Sequence, residues 1–119
     1  MKGGKHLIVK VVESLKATGF YENTILVFTT DNGGAVKMGG NNKPLIGTKG
    51  TLYEGGTRGI GFIHSPLLQT SGYTNVNMMH AVDRLPTLMS AIGQKNLATS
   101  ATDGVDQWAA ISSPNLHII

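Results

Sequence analysis

Apolar residues recur at helical spacing near the start of the chain and then merge into one continuous run. Four of them fall on one face of a helix: Ile8, Val11, Val12 and Leu15. Gly19 follows them, and glycine readily takes the left-handed conformation that ends a helix. Residues 24–30 (Thr-Ile-Leu-Val-Phe-Thr-Thr) show no alternation, which is typical of a strand buried on both faces of a parallel sheet. The pattern predicts an amphipathic helix followed by a central parallel strand.

Shorter patterns follow in the second half of the chain. Residues 59–64 indicate a short strand, with glycines at positions where another segment packs closely. Asp83 is suited to cap a helix over residues 83–92, and residues 105–111 indicate a further short helix. Residues 115–119 resemble the beginning of another strand. Helices that alternate with strands predict an α/β fold.

The composition limits the chain to one globular domain and removes several kinds of chemistry. Of its 119 residues, 40% are hydrophobic and 14% are charged, and the net charge of +3 is scattered rather than gathered into a nucleic-acid-binding stripe. The absence of cysteine excludes disulfides, zinc thiolates and a cysteine nucleophile. No apolar run reaches the ~20 residues of a membrane-spanning helix, and the first residues do not form a convincing signal peptide. We expect neither a nucleic-acid partner nor membrane insertion.

Asp31 and Asn32 follow directly after the predicted strand, at a position where ligands bind in open α/β sheets. A carboxylate next to a carboxamide provides hard oxygen donors for Ca²⁺ or Mg²⁺, and the two glycines behind them allow both side chains to face one ion. The same residue types are common in tight turns, and taken alone they favour a turn. The residues by themselves leave both interpretations open.

Lys49 lies in a polar, glycine-rich segment, residues 35–50, and reaches the same sheet end if that segment folds back. Its ammonium group is suited to pair with an anionic ester. A solvated surface lysine is the alternative, and it is the more common case. Thr48 separates Gly47 from Lys49, so the segment lacks the Gly-Lys order of a phosphate-binding P-loop.

Two other pairs of polar residues are interpreted as structural. His80 and Asp83 stand at the beginning of a predicted helix, where capping is more common than acid/base chemistry or metal binding. Glu54 and Arg58 have the spacing of a local ion pair, which we expect to order the glycine turn between them.

Several separated motifs occur in a fixed order along most of the chain. They are the strand with its Asp-Asn-Gly-Gly end at 24–34, Gly-Gly-Asn-Asn-Lys-Pro-Leu at 39–45, and the Gly-Thr-Lys-Gly to Glu-Gly-Gly segment at 47–59. Residues 80–88 and 103–108 continue the series. In combination these motifs resemble the type I sulfatases, and above all their arylsulfatase B branch.

The resemblance implies a fold, a site and an activity. The fold is α/β, a partial alkaline-phosphatase-like sandwich with a mostly parallel central sheet that is incomplete here, and residues 1–119 correspond to the C-terminal portion of the catalytic domain. In that family, the residues at the positions of Asp31 and Asn32 ligate a catalytic Ca²⁺, and the lysine at the position of Lys49 binds the sulfate group. The parent activity is hydrolysis of sulfate esters, with sulfated glycans such as glycosaminoglycans as expected substrates, in a lysosomal or secreted enzyme.

The chain also departs from the family pattern. It lacks the Cys-x-Pro-x-Arg segment whose cysteine becomes the formylglycine nucleophile, so we expect formylglycine in an upstream region and the isolated chain to be inactive. Lys43 stands where close relatives usually have tryptophan, and Ile46 and Thr48 replace basic residues, which affects the expected substrate preference. Two alternatives stay open: an inactive sulfatase remnant that binds partners, and a piece of a related phosphodiesterase of the alkaline phosphatase superfamily.

Overall fold

The computed structural model describes residues 2–95 and 103–113. The chain divides between Leu67 and Leu68 into two compact units. The strand start predicted at residues 115–119 lies outside the described residues. In the part of the chain that is described, no helix combines the length and the apolar character needed to span a membrane.

The first unit opens with helix α1 (Lys2–Ala17), as the helical spacing predicts. Lys16 lies in its last turn, where a cation interacts favourably with the negative end of the helix dipole. Gly19 then takes a φ of 76°, in the left-handed region that disfavours residues with a Cβ. The prediction of a helix that ends at this glycine is confirmed.

The two strands of the first unit pair with each other. Strands β1 (Leu26–Thr29) and β2 (Gly61–His64) are antiparallel, and Phe28 lies opposite Phe62. The rings of these two residues stack with their centroids 5.4 Å apart, which is a favourable cross-strand contact. Both strands lie within the segments predicted from the sequence, and the short helix α2 (Glu54–Thr57), which was not predicted, precedes β2.

The direction of this pairing differs from the expectation for residues 24–30. Among the described residues the sheet has two strands, and β1 has the antiparallel β2 as its neighbour instead of a parallel strand. The strand is only partly covered, and Phe28 is 41% exposed. An unbroken apolar run indicates that both faces of a strand favour burial, but it does not specify the direction of the neighbouring strand. The mostly parallel central sheet stays a prediction.

Helix α1 contributes apolar side chains to an open groove of about 490 Å³ that the strands also line. The lining includes Val12 from the helix, Leu26 from β1 and Phe62 from β2. At the end of β2, Nε2 of His64 lies 2.9 Å from the hydroxyl of Tyr21, which ties the turn after α1 to the sheet. Helix α1 and the two strands therefore line opposite sides of an open groove, and the Tyr21–His64 contact joins the segment after α1 to β2.

The second unit contains helices α3 (Arg84–Ala91) and α4 (Trp108–Ser112), close to the predicted positions. Gly93 has a φ of 76° just beyond α3, as expected for a glycine at a helix end. Thr87 is fully buried, and its Oγ1 accepts a hydrogen bond from the N–H of Gln107 at 3.0 Å. This bond fixes the segment that leads into α4.

Candidate functional site

The end of β1 is fixed by two hydrogen bonds to the residue that precedes β2. The N–H of Thr30 donates to the carbonyl oxygen of Ile60 at 2.9 Å, and the N–H of Ile60 donates to Oγ1 of Thr30 at 2.8 Å. The chain therefore leaves the sheet in a defined direction. Asp31 and Asn32 are the next two residues.

Asp31 and Asn32 carry side-chain oxygen atoms that accept no hydrogen bond from the described residues. Asp31 is exposed, and within residues 2–95 and 103–113 its carboxylate accepts no hydrogen bond. Asn32 is half-buried, and its Nδ2 donates to the carbonyl oxygen of Gly33 at 2.7 Å. This bond uses the nitrogen side of the amide and leaves Oδ1 without a donor in the same ranges.

These two oxygens are of the chemical kind that binds calcium in proteins. Ca²⁺ takes about 6–8 hard oxygen ligands, and carboxylate and amide oxygens are both suitable. The described residues contain no group of three or more His, Cys, Asp or Glu side chains able to hold a metal. A metal ion at this pair would have to take its remaining ligands from water or from residues elsewhere.

Behind the pair, the backbone passes against helix α2 (Glu54–Thr57). The N–H of Gly33 donates to the carbonyl oxygen of Gly56 at 2.9 Å. A Cβ on Gly33 would overlap the carbonyl oxygen of Gly55, so only glycine fits at this position. The predicted ion pair between Glu54 and Arg58 is confirmed, with its charged atoms 3.4 Å apart across the same turn.

The carbonyl oxygen of Gly34 is the point where the strand end meets the lysine segment. It accepts hydrogen bonds from Nδ2 of Asn42 at 2.8 Å, Oγ1 of Thr48 at 3.2 Å and the N–H of Lys49 at 3.2 Å. Segment 35–50 thus folds back to the sheet end. The backbone of Lys49 is fixed there, while the residue as a whole remains exposed.

Asn42 connects three backbone groups around this point. Its Oδ1 accepts the N–H of Gly34 at 2.8 Å, and its Nδ2 donates to the carbonyl oxygens of Gly34 at 2.8 Å and Gly47 at 3.1 Å. We call Gly34, Asn42, Gly47, Thr48 and Lys49 the Gly34 cluster. Asn42 and Thr48 are not predicted as site residues from the sequence, because nothing in the spacing of adjacent asparagines indicates which one faces the cluster.

In the second unit, each carboxylate oxygen of Asp83 accepts a hydrogen bond from a backbone N–H group. Asp83 is 8% exposed; its Oδ2 accepts the N–H of His80 at 2.7 Å and its Oδ1 accepts the N–H of Val105 at 2.9 Å. Asp83 takes the N-cap position of α3 as predicted, but its side chain makes no capping hydrogen bond to that helix. The carboxylate instead forms part of a capping box on the short 3-10 helix Ala81–Asp83. It accepts the N–H of His80, and the His80 side chain accepts the N–H of Val82.

Comparisons with known proteins place these motifs in a family. The family model described as Sulfatase matches residues 5–94. The chain is 42% identical over 116 residues to arylsulfatase J of Mus musculus, an alignment that covers 94% of the chain and 19% of that protein. It is 32% identical over 101 residues to N-acetylgalactosamine-6-sulfatase of Rattus norvegicus, which covers 82% of the chain and 19% of the relative.

A solved structure agrees with the sequence comparisons. The crystal structure of Ps i-CgsB in complex with k-i-k-neocarrahexaose matches with a TM-score of 0.78 and 37% sequence identity, over 87% of this chain and 23% of that one. The fold of the chain is therefore part of a sulfatase fold. The chain spans about a fifth of the length of the curated relatives it matches, since the alignments cover 19% of each.

Proposed function

The chain belongs to the sulfatase family, and on that premise we propose that it supplies the calcium- and sulfate-binding part of a sulfuric ester hydrolase. The observation that supports this proposal is the meeting of two segments at the carbonyl oxygen of Gly34. One segment carries Asp31 and Asn32, and the other carries Lys49, whose N–H donates to that oxygen at 3.2 Å. In such a hydrolase a metal ion and a cationic side chain act on the same anionic ester. This contact brings the segment that carries Asp31 and Asn32 next to the segment that carries Lys49.

Each of the three residues has a defined role in this proposal. Asp31 and Asn32 hold Ca²⁺ through Oδ atoms that make no other hydrogen bond in the described ranges. The ion supplies positive charge that stabilises the oxygens of the sulfuryl group during transfer. Lys49 contacts sulfate oxygens near the leaving group, where its ammonium stabilises the negative charge that develops.

The nucleophile is proposed to lie outside these 119 residues. A formylglycine requires a cysteine precursor, and the chain has no cysteine. The chain alone is therefore expected to release no phenol from an aryl sulfate, even with Ca²⁺ present. Release of phenol that depends on calcium and is lost in Asp31→Ala would contradict this division of the site.

The proposed substrates of the whole enzyme are sulfated glycans, with glycosaminoglycans among them. One relative is named an N-acetylgalactosamine-6-sulfatase, and one similar structure holds a neocarrahexaose, a carbohydrate oligomer. The resemblance to the arylsulfatase B branch supports a lysosomal or secreted parent enzyme. Comparison of aryl sulfate with aryl phosphate diester binding tests the related phosphodiesterase as the alternative class.

Calcium titration of the full 119-residue chain tests the metal ligands. We expect a Kd of about 1 mM or weaker, because two donors are a small part of a calcium shell. Asp31→Ala and Asn32→Ala should each weaken binding by about tenfold or more, since each removes a direct ligand. Asp103→Ala is the matched control, because it removes an exposed aspartate outside the site. Equal calcium affinity in wild type and Asp31→Ala would return both residues to the turn interpretation.

Titration with an aryl sulfate tests Lys49. Lys49→Ala should weaken binding by about tenfold, and Lys49→Arg should restore only part of it, because guanidinium and ammonium differ in shape and hydration. Lys37→Ala is the control, since it removes another exposed lysine of segment 35–50. If both alanine variants lose the same affinity, net charge alone explains the binding and Lys49 has no specific role.

A further inference from the structure

We infer that Asn42 is a positioning residue that couples calcium binding at Asp31 and Asn32 to sulfate binding at Lys49, an inference that rests on the proposed function. The geometry points to it because the Asn42 amide joins both carrier segments. It bonds the N–H and the carbonyl oxygen of Gly34, two residues after Asn32, and the carbonyl oxygen of Gly47, two residues before Lys49. No side chain of the proposed ligands makes this connection within the described residues.

The contacts at this position require an asparagine. The amide uses one acceptor and two donor hydrogens at once, with distances of 2.8, 2.8 and 3.1 Å. Aspartate has the same shape but no donor, so its second oxygen would face the carbonyl oxygens of Gly34 and Gly47. The Gly34 carbonyl would keep its bonds from Thr48 and Lys49. The half-buried Gly47 carbonyl, however, would have no donor among the described residues, and an unmade hydrogen bond there is costly.

The coupling follows from a shared ordering cost. Calcium binding restricts residues 31–34, and the Asn42 amide, which bonds both polar groups of Gly34, passes this restriction to Gly47, two residues before Lys49. A second ligand at Lys49 then binds to a segment that is already ordered, which gives positive cooperativity without new contacts. By linkage, sulfate strengthens calcium binding by the same factor. Direct attraction between ion and sulfate is the competing source of cooperativity, and it does not depend on Asn42.

The measurement is the factor by which a saturating aryl sulfate changes the calcium Kd of the full chain. The test variant is Asn42→Asp, and the matched control is Asn41→Asp, which introduces the same charge one residue away. Asn41 is exposed, and the one hydrogen bond of its side chain to the described residues is the N–H of Lys43 donating to Oδ1 at 3.1 Å, an acceptor role that aspartate retains. Because the charge change is identical, a difference between the two variants reports the lost donors of Asn42.

We expect a coupling factor of about fivefold or more in wild type and in Asn41→Asp. In Asn42→Asp the factor should fall to about one, while each ligand alone binds within about twofold of its affinity for Asn41→Asp. A merely structural role would weaken both single-ligand affinities and leave the factor unchanged. A factor in Asn42→Asp equal to that of the control would assign the cooperativity to direct contact and overturn the role of Asn42.

A measurement on the wild-type chain decides the question even if Asn42→Asp fails to fold. Saturating calcium should slow the exchange of the Asn42 side-chain amide hydrogens and of the Lys49 N–H, as seen by NMR. Unchanged exchange of both on calcium binding would overturn the inference. If the wild-type chain binds each ligand but the coupling factor is one, the role of Asn42 is overturned and the proposed function stands. If the chain binds neither ligand, both the proposed function and the inference are overturned.

Discussion

The loop after β1 and the second unit differ in what their aspartates contact. Asp31 is exposed, and its carboxylate accepts no hydrogen bond from the residues that are described. Asp83 is 8% exposed, and both its oxygens accept backbone N–H groups. The two residues are alike in charge and in their place beside a regular element. The difference shows that free hydrogen-bonding capacity, rather than residue type, separates a candidate ligand from a structural group.

The two regions also make their structural contacts through different groups. The second unit buries polar side chains such as Thr87, which bond to neighbouring backbone groups. In the loop, the structural contacts are made by glycine backbones in close approach and by the amide of Asn42, so the charged side chains remain available to a ligand. A binding site is best placed where the backbone makes the structural contacts and the charges do not.

The largest expected effect comes from Gly33→Ala. The new Cβ would overlap the carbonyl oxygen of Gly55, and backbone atoms cannot move aside as a flexible side chain can. We expect a loss of about 3 kcal/mol or more in the free energy of unfolding, from urea titration of the full chain. Gly61→Ala is the control, because its Cβ would lie at an ordinary 3.6 Å from the nearest atom. Equal midpoints for the two variants would show that the loop yields to the added methyl group.

A smaller effect is expected from exchanging carboxylate for amide at the two aspartates. Asp83→Asn places an NH₂ group against a backbone N–H and should cost about 2 kcal/mol of stability. Asp31→Asn should leave the unfolding midpoint unchanged while weakening calcium binding, since its carboxylate supports no hydrogen bond in the described part of the chain. The result that contradicts the comparison is a stability loss in Asp31→Asn as large as that in Asp83→Asn.

The smallest effect is expected from two buried serines, one in each unit. Ser65 is 6% exposed, and its Oγ donates to the carbonyl oxygen of Thr24 at 2.7 Å, so Ser65→Ala should cost about 1 kcal/mol. Ser90 is also 6% exposed, but its Oγ has no partner among the described residues. Ser90→Ala should therefore be neutral or slightly stabilising in the same urea titration. A greater loss in Ser90→Ala would indicate a hydrogen bond that forms in solution.

Local patterns predicted much of the fold and part of the site. Both strands were predicted from short runs of apolar and β-branched residues. Helix α1 with its end at Gly19 and the ion pair between Glu54 and Arg58 follow from contacts between residues close in sequence. Such contacts repeat every two, three or four residues, so the sequence alone displays them. The ordered motifs also predicted the sulfatase family, which the match over residues 5–94 confirms.

The sequence by itself determined the positions of α1, α3, α4 and the two strands, though not of the short helix α2, and it showed which residues have the chemistry of ligands, since these are properties of local residue type and spacing. Only the tertiary structure decided that β1 pairs antiparallel with β2 and that the Asp83 carboxylate accepts the N–H groups of His80 and Val105. It alone also distinguished Asn42 from Asn41, because only Asn42 lies where Gly34 and Gly47 meet. These choices depend on contacts between residues distant in sequence, whose partners are selected by the packing of the whole chain and leave no periodic signal.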